Sequence, residues 1–300
     1  MAKLRRNHNK QSKMGATIIR VIGFLIAVAL LMAYLYNMTI GSESTELAGS
    51  YDAATAIDKY LPESNTGQVV RHTHYTLSYD EDHEQAEWVA YQLTEASLKV
   101  PNVPRAKRFN PDPMVETRSA HHRDYTRSGY SRGHLAPAGD MAFDTEAMQE
   151  SFYMSNMSPQ KSGMNGGIWN ELEETVRDWA YHNDEVYVVT GPVLTKNHII
   201  KTIGKTSDIS VSDLFYKVVL DYSQPEVKAI GFLIPNAVSD KPLTDYVVTV
   251  DSVEAVTGID LFAGAWEPSK EQQIEGSVSI KKWKFSDKRY MLRVDKWNNR

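Results

Sequence analysis

Three runs rich in β-branched and aromatic residues constrain the fold most: "EVYVVTGPVL" (185–194), "LFYKVVLDY" (214–222) and "EVKAIGFLIPN" (226–236). Each reads as a strand. The segments around them do not follow a regular strand–helix alternation, so the pattern predicts an α+β fold with a central antiparallel sheet rather than a doubly wound one. "VVRHTHYTLSYD" (69–80) predicts a further strand by its alternation. "EDHEQAEWVAYQLTEA" (81–96) predicts a helix, because Ala86, Val89, Ala90 and Leu93 fall at helical spacing. "IWNELEETVRDWAYHN" (168–183) predicts another, with Ile168, Leu172, Val176 and Trp179 on one face. "PLTDYVVTVDSVEAVTGIDLF" (242–262) reads as a strand and then a helix ending at Gly258.

The N-terminus differs from the rest of the 300-residue chain. Residues 1–20 carry Lys3, Arg5, Arg6, Lys10, Lys13 and Arg20 and no acid, and Val21 to Ile40 is uncharged. A bilayer-spanning helix needs about 20 apolar residues. The basic flank before the run, with Glu43 and Glu46 after it, predicts a cytoplasmic N-terminus and an external body. The expected organisation is a basic cytoplasmic leader (1–20), a transmembrane helix (21–40), a Ser-, Thr- and Glu-rich tether (41–68) and one domain (69–300). The expected location is membrane-anchored and extracytoplasmic, periplasmic or extracellular. A cleaved signal sequence followed by secretion is the alternative. The chain has no cysteine, which excludes disulfides and thiolate metal sites. Its net charge of -5 argues against a globally basic coat on nucleic acid but leaves room for a local basic cleft.

The chemistry concentrates in "YSRGHLAPAGDM", with Arg132, Gly133 and His134, and in "YMSNMSPQKSGMNGGIWNELEETVRDW", with Asn156, Gln160, Asn165, Glu173 and Arg177. Each residue alone has a plain reading. His134 could be a satisfied core histidine, Asn165 before Gly-Gly a turn or cap, and Glu173 with Arg177 a surface pair at i,i+4. Together they describe a strand ending in His, followed by a helix whose first turns carry Asn and Glu. That is the layout of a one-metal nuclease site.

On these motifs the chain resembles the DNA/RNA non-specific endonucleases, ββα-metal nucleases of the Serratia type that include mitochondrial endonuclease G. "SGYSRGHLAPAGDM", "SNMSPQ" and "MNGGIWNELE" carry the resemblance, which extends over roughly residues 69 to 265. It implies a ββα-metal (His-Me finger) fold and a metal-dependent, sugar-non-specific endonuclease acting on DNA and RNA. It implies His134 as general base, Asn165 as the protein ligand of a Mg²⁺ ion (with Mn²⁺ accepted) and Glu173 as the holder of water on that ion. Arg132 and Asn156 are expected to form the site, Arg177 and Gln160 to bind substrate, and Arg105, in preference to Arg108, to stabilise transition-state charge. DNA, RNA, the membrane and a second copy of the chain are the expected partners. Ser131 departs from the family's usual Asp-Arg-Gly-His, and Gly166 stands where relatives often carry a longer residue. The alternative is therefore a catalytically weakened nucleic-acid-binding module on the same scaffold.

The residue types suit the reaction. A phosphodiester repels hydroxide, so a base that titrates near neutrality makes the nucleophile in place. A cation and arginines then absorb charge on the phosphoryl oxygens. Contacts to the backbone carry no sequence information. "KKWKFSDKRYMLRVDKWNNR" (281–300), with eight basic residues against two Asp, reads as a final strand and helix or as a nucleic-acid or lipid-headgroup contact. Ser158-Pro-Gln-Lys161 lacks the partner strand of a Ser–Lys enzyme. His72 and His74 are expected to be surface strand residues, and His121 and His122 loop residues without a catalytic task.

Overall fold

The strand β3 (Gln85–Thr94) occupies the segment that the sequence pattern assigns to a helix. It pairs on both sides, with β2 (Thr76–Asp80) and with β6 (Glu185–Pro192), and is buried along nearly its whole length. Both faces are covered, so apolar and small residues follow one another without the alternation of a half-exposed strand. Ala86, Val89, Ala90 and Leu93 match a helical period only by coincidence. The stretch 69–80 is likewise two strands, β1 (Gln68–Arg71) and β2, joined by a turn in which the His72 amide donates to the Tyr75 carbonyl at 2.9 Å.

The computed structural model describes residues 58–63, 67–223 and 225–298, together with Val28, Leu31 and Met32. The chain divides into two units, Met1–Asp58 and Lys59–Arg300. The expected leader, the rest of the apolar run and most of the tether lie outside the described residues. Among the described residues no helix is long and apolar enough to cross a membrane.

A seven-stranded antiparallel sheet organises the second unit, in the order β1-β2-β3-β6-β9-β10-β11, where β9 is Leu214–Asp221, β10 Lys228–Pro235 and β11 Val247–Val248. Its three β-branched strands β6, β9 and β10 are the three runs legible in the sequence. Two small antiparallel pairs flank it: β4 (Ser131–His134) with β5 (Met157–Gln160), and β7 (Ile199–Ile203) with β8 (Ile209–Ser212). Short helices α1 (Glu95–Lys99) and α2 (Thr145–Glu150) punctuate the first half. The long helix α3 (Asn170–His182) follows a wide π turn at Asn165–Trp169, inside which Gly167 is non-helical (φ -103, ψ -110). Its Leu172, Val176 and Trp179, with Ile168 and Trp169 just before it, enter the core beside Phe215 and Phe232 of the sheet. Helix α4 (Val250–Thr257) ends at Gly258, whose φ of 77° closes it in the left-handed region as the sequence predicts. Helices α5 (Pro268–Glu275) and α6 (Asp287–Leu292) complete the chain.

The C-terminal stretch is partly structural. Trp283 is buried against Trp179 with ring centroids 4.6 Å apart, and Arg293 is fully buried beside Glu171 of α3. His72 is also buried, contrary to its expected surface place, with Nε2 2.9 Å from Asp112 Oδ2. Burial alone would lower its pKa, but the bonds and charges of Asp112 and Glu150 raise it to about 9.

Candidate active site

β4 is held close to β5 because position 133 is glycine. A Cβ there would meet the Gln160 side chain at 2.1 Å. His134 ends β4 and enters a cleft of about 410 Å³ that Arg105, Arg132, Asn165, Glu173 and Arg177 also line. The chain beyond His134 is fixed by Asn156. Its Oδ1 accepts from the Ala136 amide at 2.8 Å, and its Nδ2 donates to the Ala136 and Ser151 carbonyls at 2.9 and 2.8 Å. Asn156, expected to form the site, is fully buried and shapes the backbone behind the cleft.

The His134 ring packs edge-on to Phe152, with centroids 4.7 Å apart, and tilted to Phe109 at 5.8 Å. Only 9% of the residue is exposed, and its Nε2 has no hydrogen-bond partner among the described residues. Burial, helped by the charge of Arg105, lowers its pKa to about 3. The imidazole is therefore neutral throughout the neutral range with Nε2 unbonded, and burial makes it a weaker base than the near-neutral one that the residue type predicts.

Three arginines serve the cleft differently. The Arg105 guanidinium lies 5.0 Å over the same Phe152 ring that supports His134. Arg108 instead lines neighbouring depressions with Lys107 and Asn110. Arg132 donates from Nη2 to the His122 carbonyl at 2.6 Å and lies 5.2 Å over Phe109, while its buried Nε has no partner among the described residues. Arg177 bonds to Asp140 and, at 3.0 Å, to Glu174, in place of the simple Glu173 pair. Asp140 also accepts from the Tyr91 hydroxyl at 2.8 Å, which locks it under Arg177.

Asn165 opens the π turn and is partly exposed at the cleft, beside Gly166, where a Cβ would meet nothing within 4 Å. Glu173, in the first turn of α3, lines the same space. Burial drives its carboxyl upward, and Arg177 and Lys217 pull it back. Lys217 of β9 is fully buried, with Nζ 4.8 Å over the Trp169 ring and no hydrogen bond among the described residues. Burial lowers its pKa in turn, and Glu173 and Asp140 oppose that.

Gln160 does not belong to this group. It is fully buried behind Gly133, and its amide has no partner among the described residues, so a direct substrate contact is not available to it. The Ser131 hydroxyl lies 2.9 Å from that of Ser162, a neutral link where the family signature has a carboxylate. Ser158 is buried and bonded to Gln85 at 2.6 Å, which leaves no Ser–Lys site with Lys161. Asp140, Lys217, Phe109 and Phe152 were not singled out from the sequence, although Asp140 stands inside the quoted motif.

A profile of the DNA/RNA non-specific endonuclease family matches residues 52–266. The zebrafish (Danio rerio) mitochondrial nuclease EXOG is 34% identical over 249 residues, 78% of this chain and 71% of that protein. A nuclease of Syncephalastrum racemosum is 33% identical over 275 residues, 82% and 86% of the two chains. A solved complex of EndoG with EndoGI, concerned with EndoG inhibition, aligns with TM-score 0.61 at 34% identity, over 66% of this chain and 86% of that one. The zebrafish relative corrects the expected extracytoplasmic, membrane-anchored location, because that enzyme is by name mitochondrial. The physical reason is that a basic, acid-free leader is common to export and to organelle import, so its charge does not choose between them. The antiparallel sheet, the cleft around His134 and a match over most of the chain agree: this protein belongs to the DNA/RNA non-specific endonuclease family and is an enzyme of that hydrolase class.

Proposed function

We propose that the chain is a metal-dependent, sugar-non-specific endonuclease that cleaves the phosphodiester bonds of DNA and RNA at the His134 cleft, with β4, β5 and α3 as the ββα-metal unit. The observation that carries this reading is the neutral, unpartnered Nε2 of His134 inside a cleft that also holds Arg105, Arg132, Asn165 and Glu173. A core histidine kept for packing would normally have its ring nitrogens satisfied.

The donor set fits a hard divalent cation. An Asn amide oxygen and a carboxylate are oxygen ligands, and Mg²⁺ needs few from the protein because it keeps several waters. Asn165 and Glu173 would hold it, and Mn²⁺ would accept the same ligands. When bound, the ion supplies Lewis-acid stabilisation of charge on the phosphoryl and leaving oxygens. His134 takes the proton of the attacking water at Nε2. Arg105 and Arg132 grip phosphate oxygens, their guanidiniums braced on Phe152 and Phe109. Asn156 and Asp140 hold the His134 loop and Arg177 in place. Contacts to phosphate read no base, which accounts for low sequence preference.

The test is digestion of plasmid DNA and total RNA by the full chain, with Mg²⁺ or with EDTA. Loss of both substrates with Mg²⁺, and of neither with EDTA, is the expected result. Intact substrates with every divalent ion, alongside retained binding in a gel shift, would reduce the protein to a binding module.

Lys217 provides a pH test. It is one of two cations that hold the Glu173 carboxyl down against burial, with Asp140 and Glu174 acting the other way. In metal-free Lys217→Met the Glu173 carboxyl ionises at higher pH by roughly one unit, and the pH profile of divalent-ion binding to the cleft moves upward with it. An unchanged profile would remove Glu173 from the ionisations that govern ion binding.

A further inference from the structure

Away from the His134 cleft, three carboxylates converge between α4 and α5. Asp251, Glu254 and Glu275 each offer one oxygen, and these oxygens all lie within 4.8 Å of one another. Asp251 and Glu254 are three positions apart on α4 and share a face. Glu275 ends α5, and the Gln272 amide of the same helix donates to Asp251 Oδ2 at 3.2 Å. That oxygen would lie 3.3 Å from a Cβ placed on Gly276, so Asp251 reaches directly to the end of α5.

Acidic residues gather on many surfaces without consequence, but Glu275 is not a surface residue. It is 4% exposed, and its Oε1 is buried with no hydrogen-bond partner among the described residues. The charges acting on it, from Glu254, Glu271, Asp260 and Asp251, are all negative, and with burial they push its carboxyl up to about 8. An isolated buried carboxylate among like charges is strongly disfavoured unless a cation or a proton answers it.

We propose that Asp251, Glu254 and Glu275 form a second metal site, specific for Ca²⁺, that pins α5 onto α4. All-oxygen donors without His or Cys select hard cations over transition metals. Three converging carboxylates suit Ca²⁺, which takes many oxygen ligands in flexible geometry, better than Mg²⁺, which keeps several waters and is usually held by one or two carboxylates. Asp251 and Glu254 lie inside the family-matched segment 52–266 and Glu275 beyond it, so the site would tie the C-terminal helix α5 to the matched segment. It rests on no part of the nuclease mechanism.

The test is calorimetric titration of EDTA-stripped, full-length Asn165→Ala, Glu173→Gln protein, which lacks both proposed cleft ligands. Ca²⁺ should bind at a single site per chain and raise the thermal midpoint. Glu275→Gln in the same background should weaken binding by about tenfold or more and abolish the rise. The same variant should melt no lower than its parent in EDTA, since the amide removes a buried charge. Asp251→Asn, at the partly exposed rim, serves as the second variant and should give the same loss of affinity. No binding by the parent up to about 10 mM Ca²⁺ would overturn the site, with Glu275 then holding a proton. Binding unaltered in both variants would overturn it as well. Mg²⁺ binding as tightly as Ca²⁺ would overturn the choice of ion.

Discussion

His134→Ala lowers kcat by about 10²–10⁴ while the protein stays folded. The magnitude follows from what the ring supplies. Its Nε2 is buried and unbonded among the described residues, at the end of β4 in the lining of the cleft, and burial keeps it deprotonated at working pH. Ala removes the proton acceptor but leaves Arg105, Arg132, Asn165 and Glu173 to bind and orient phosphate. KM should therefore move far less than kcat. Stability changes little, by about 1 kcal/mol, because the cavity left beside Phe152 and Phe109 is offset by loss of an unsatisfied polar atom. Steady-state kinetics on plasmid DNA, with circular dichroism as the folding control, checks both halves. Activity within tenfold of the parent would mean that another group takes the proton.

Arg293→Ala destabilises the fold by about 3–5 kcal/mol. The Arg293 guanidinium is fully buried, bonded to Glu171 through Nε, to the Ser239 carbonyl through Nη1 and, at 2.6 Å, to the Lys241 carbonyl through Nη2. Truncation strands the Glu171 carboxylate on α3 and takes the Arg293 donor from the Lys241 carbonyl, while the Ser239 carbonyl keeps the Asn298 amide at 2.9 Å. For a unit of this size the thermal midpoint falls by roughly 10 °C. The deficit should grow with pH. Burial already raises the Glu171 carboxyl, and Arg293 is the first cation that holds it down, so the variant raises it further. A folded-state value above the unfolded one means that protonation favours the fold, so stability is lost as pH rises from the unfolded value through the folded one. Thermal melts at pH 5 and pH 8 measure this. A deficit equal at both, or a loss under 1 kcal/mol, would show that Glu171 finds another partner. The double variant Glu171→Leu, Arg293→Met should recover most of the loss, because no charge is then left buried.

The sequence is most legible where one physical signal dominates. β6, β9 and β10 stand out because β-branched runs are bounded by Gly, Pro or polar turns, and α3 because its apolar residues keep one face. β3 is illegible for the opposite reason: covered on both faces, it has no periodicity to read. The β1–β2 turn at His72 to Tyr75 has no Gly or Asn-Gly to announce it. In the site, His134, Arg132, Asn165 and Glu173 are visible as a local motif that the fold brings to one cleft. Asn156 and Gln160 look like ligands of something because they are polar and near the motif, yet their burial turns them toward the scaffold. Lys217 is hidden in a different way. In a strand pattern a lone Lys reads as the solvent side, and only the packing of α3 over β9 makes it a buried neighbour of Glu173.

The wide turn at Asn165–Trp169 sets how this segment tolerates change. Asn165 and Glu173 are eight positions apart. An unbroken α-helix would separate them by about 12 Å of rise and about 80° of rotation. The π turn, with Gly167 out of helical geometry, lies between them, and both residues line one cleft. The stretch therefore works as a ruler graduated in residues. Its side chains can vary where space permits, as the open room around Gly166 illustrates, but its count cannot. Inserting or deleting one residue swings Asn165 about 100° away from Glu173. Length, more than composition, is what the segment has to conserve.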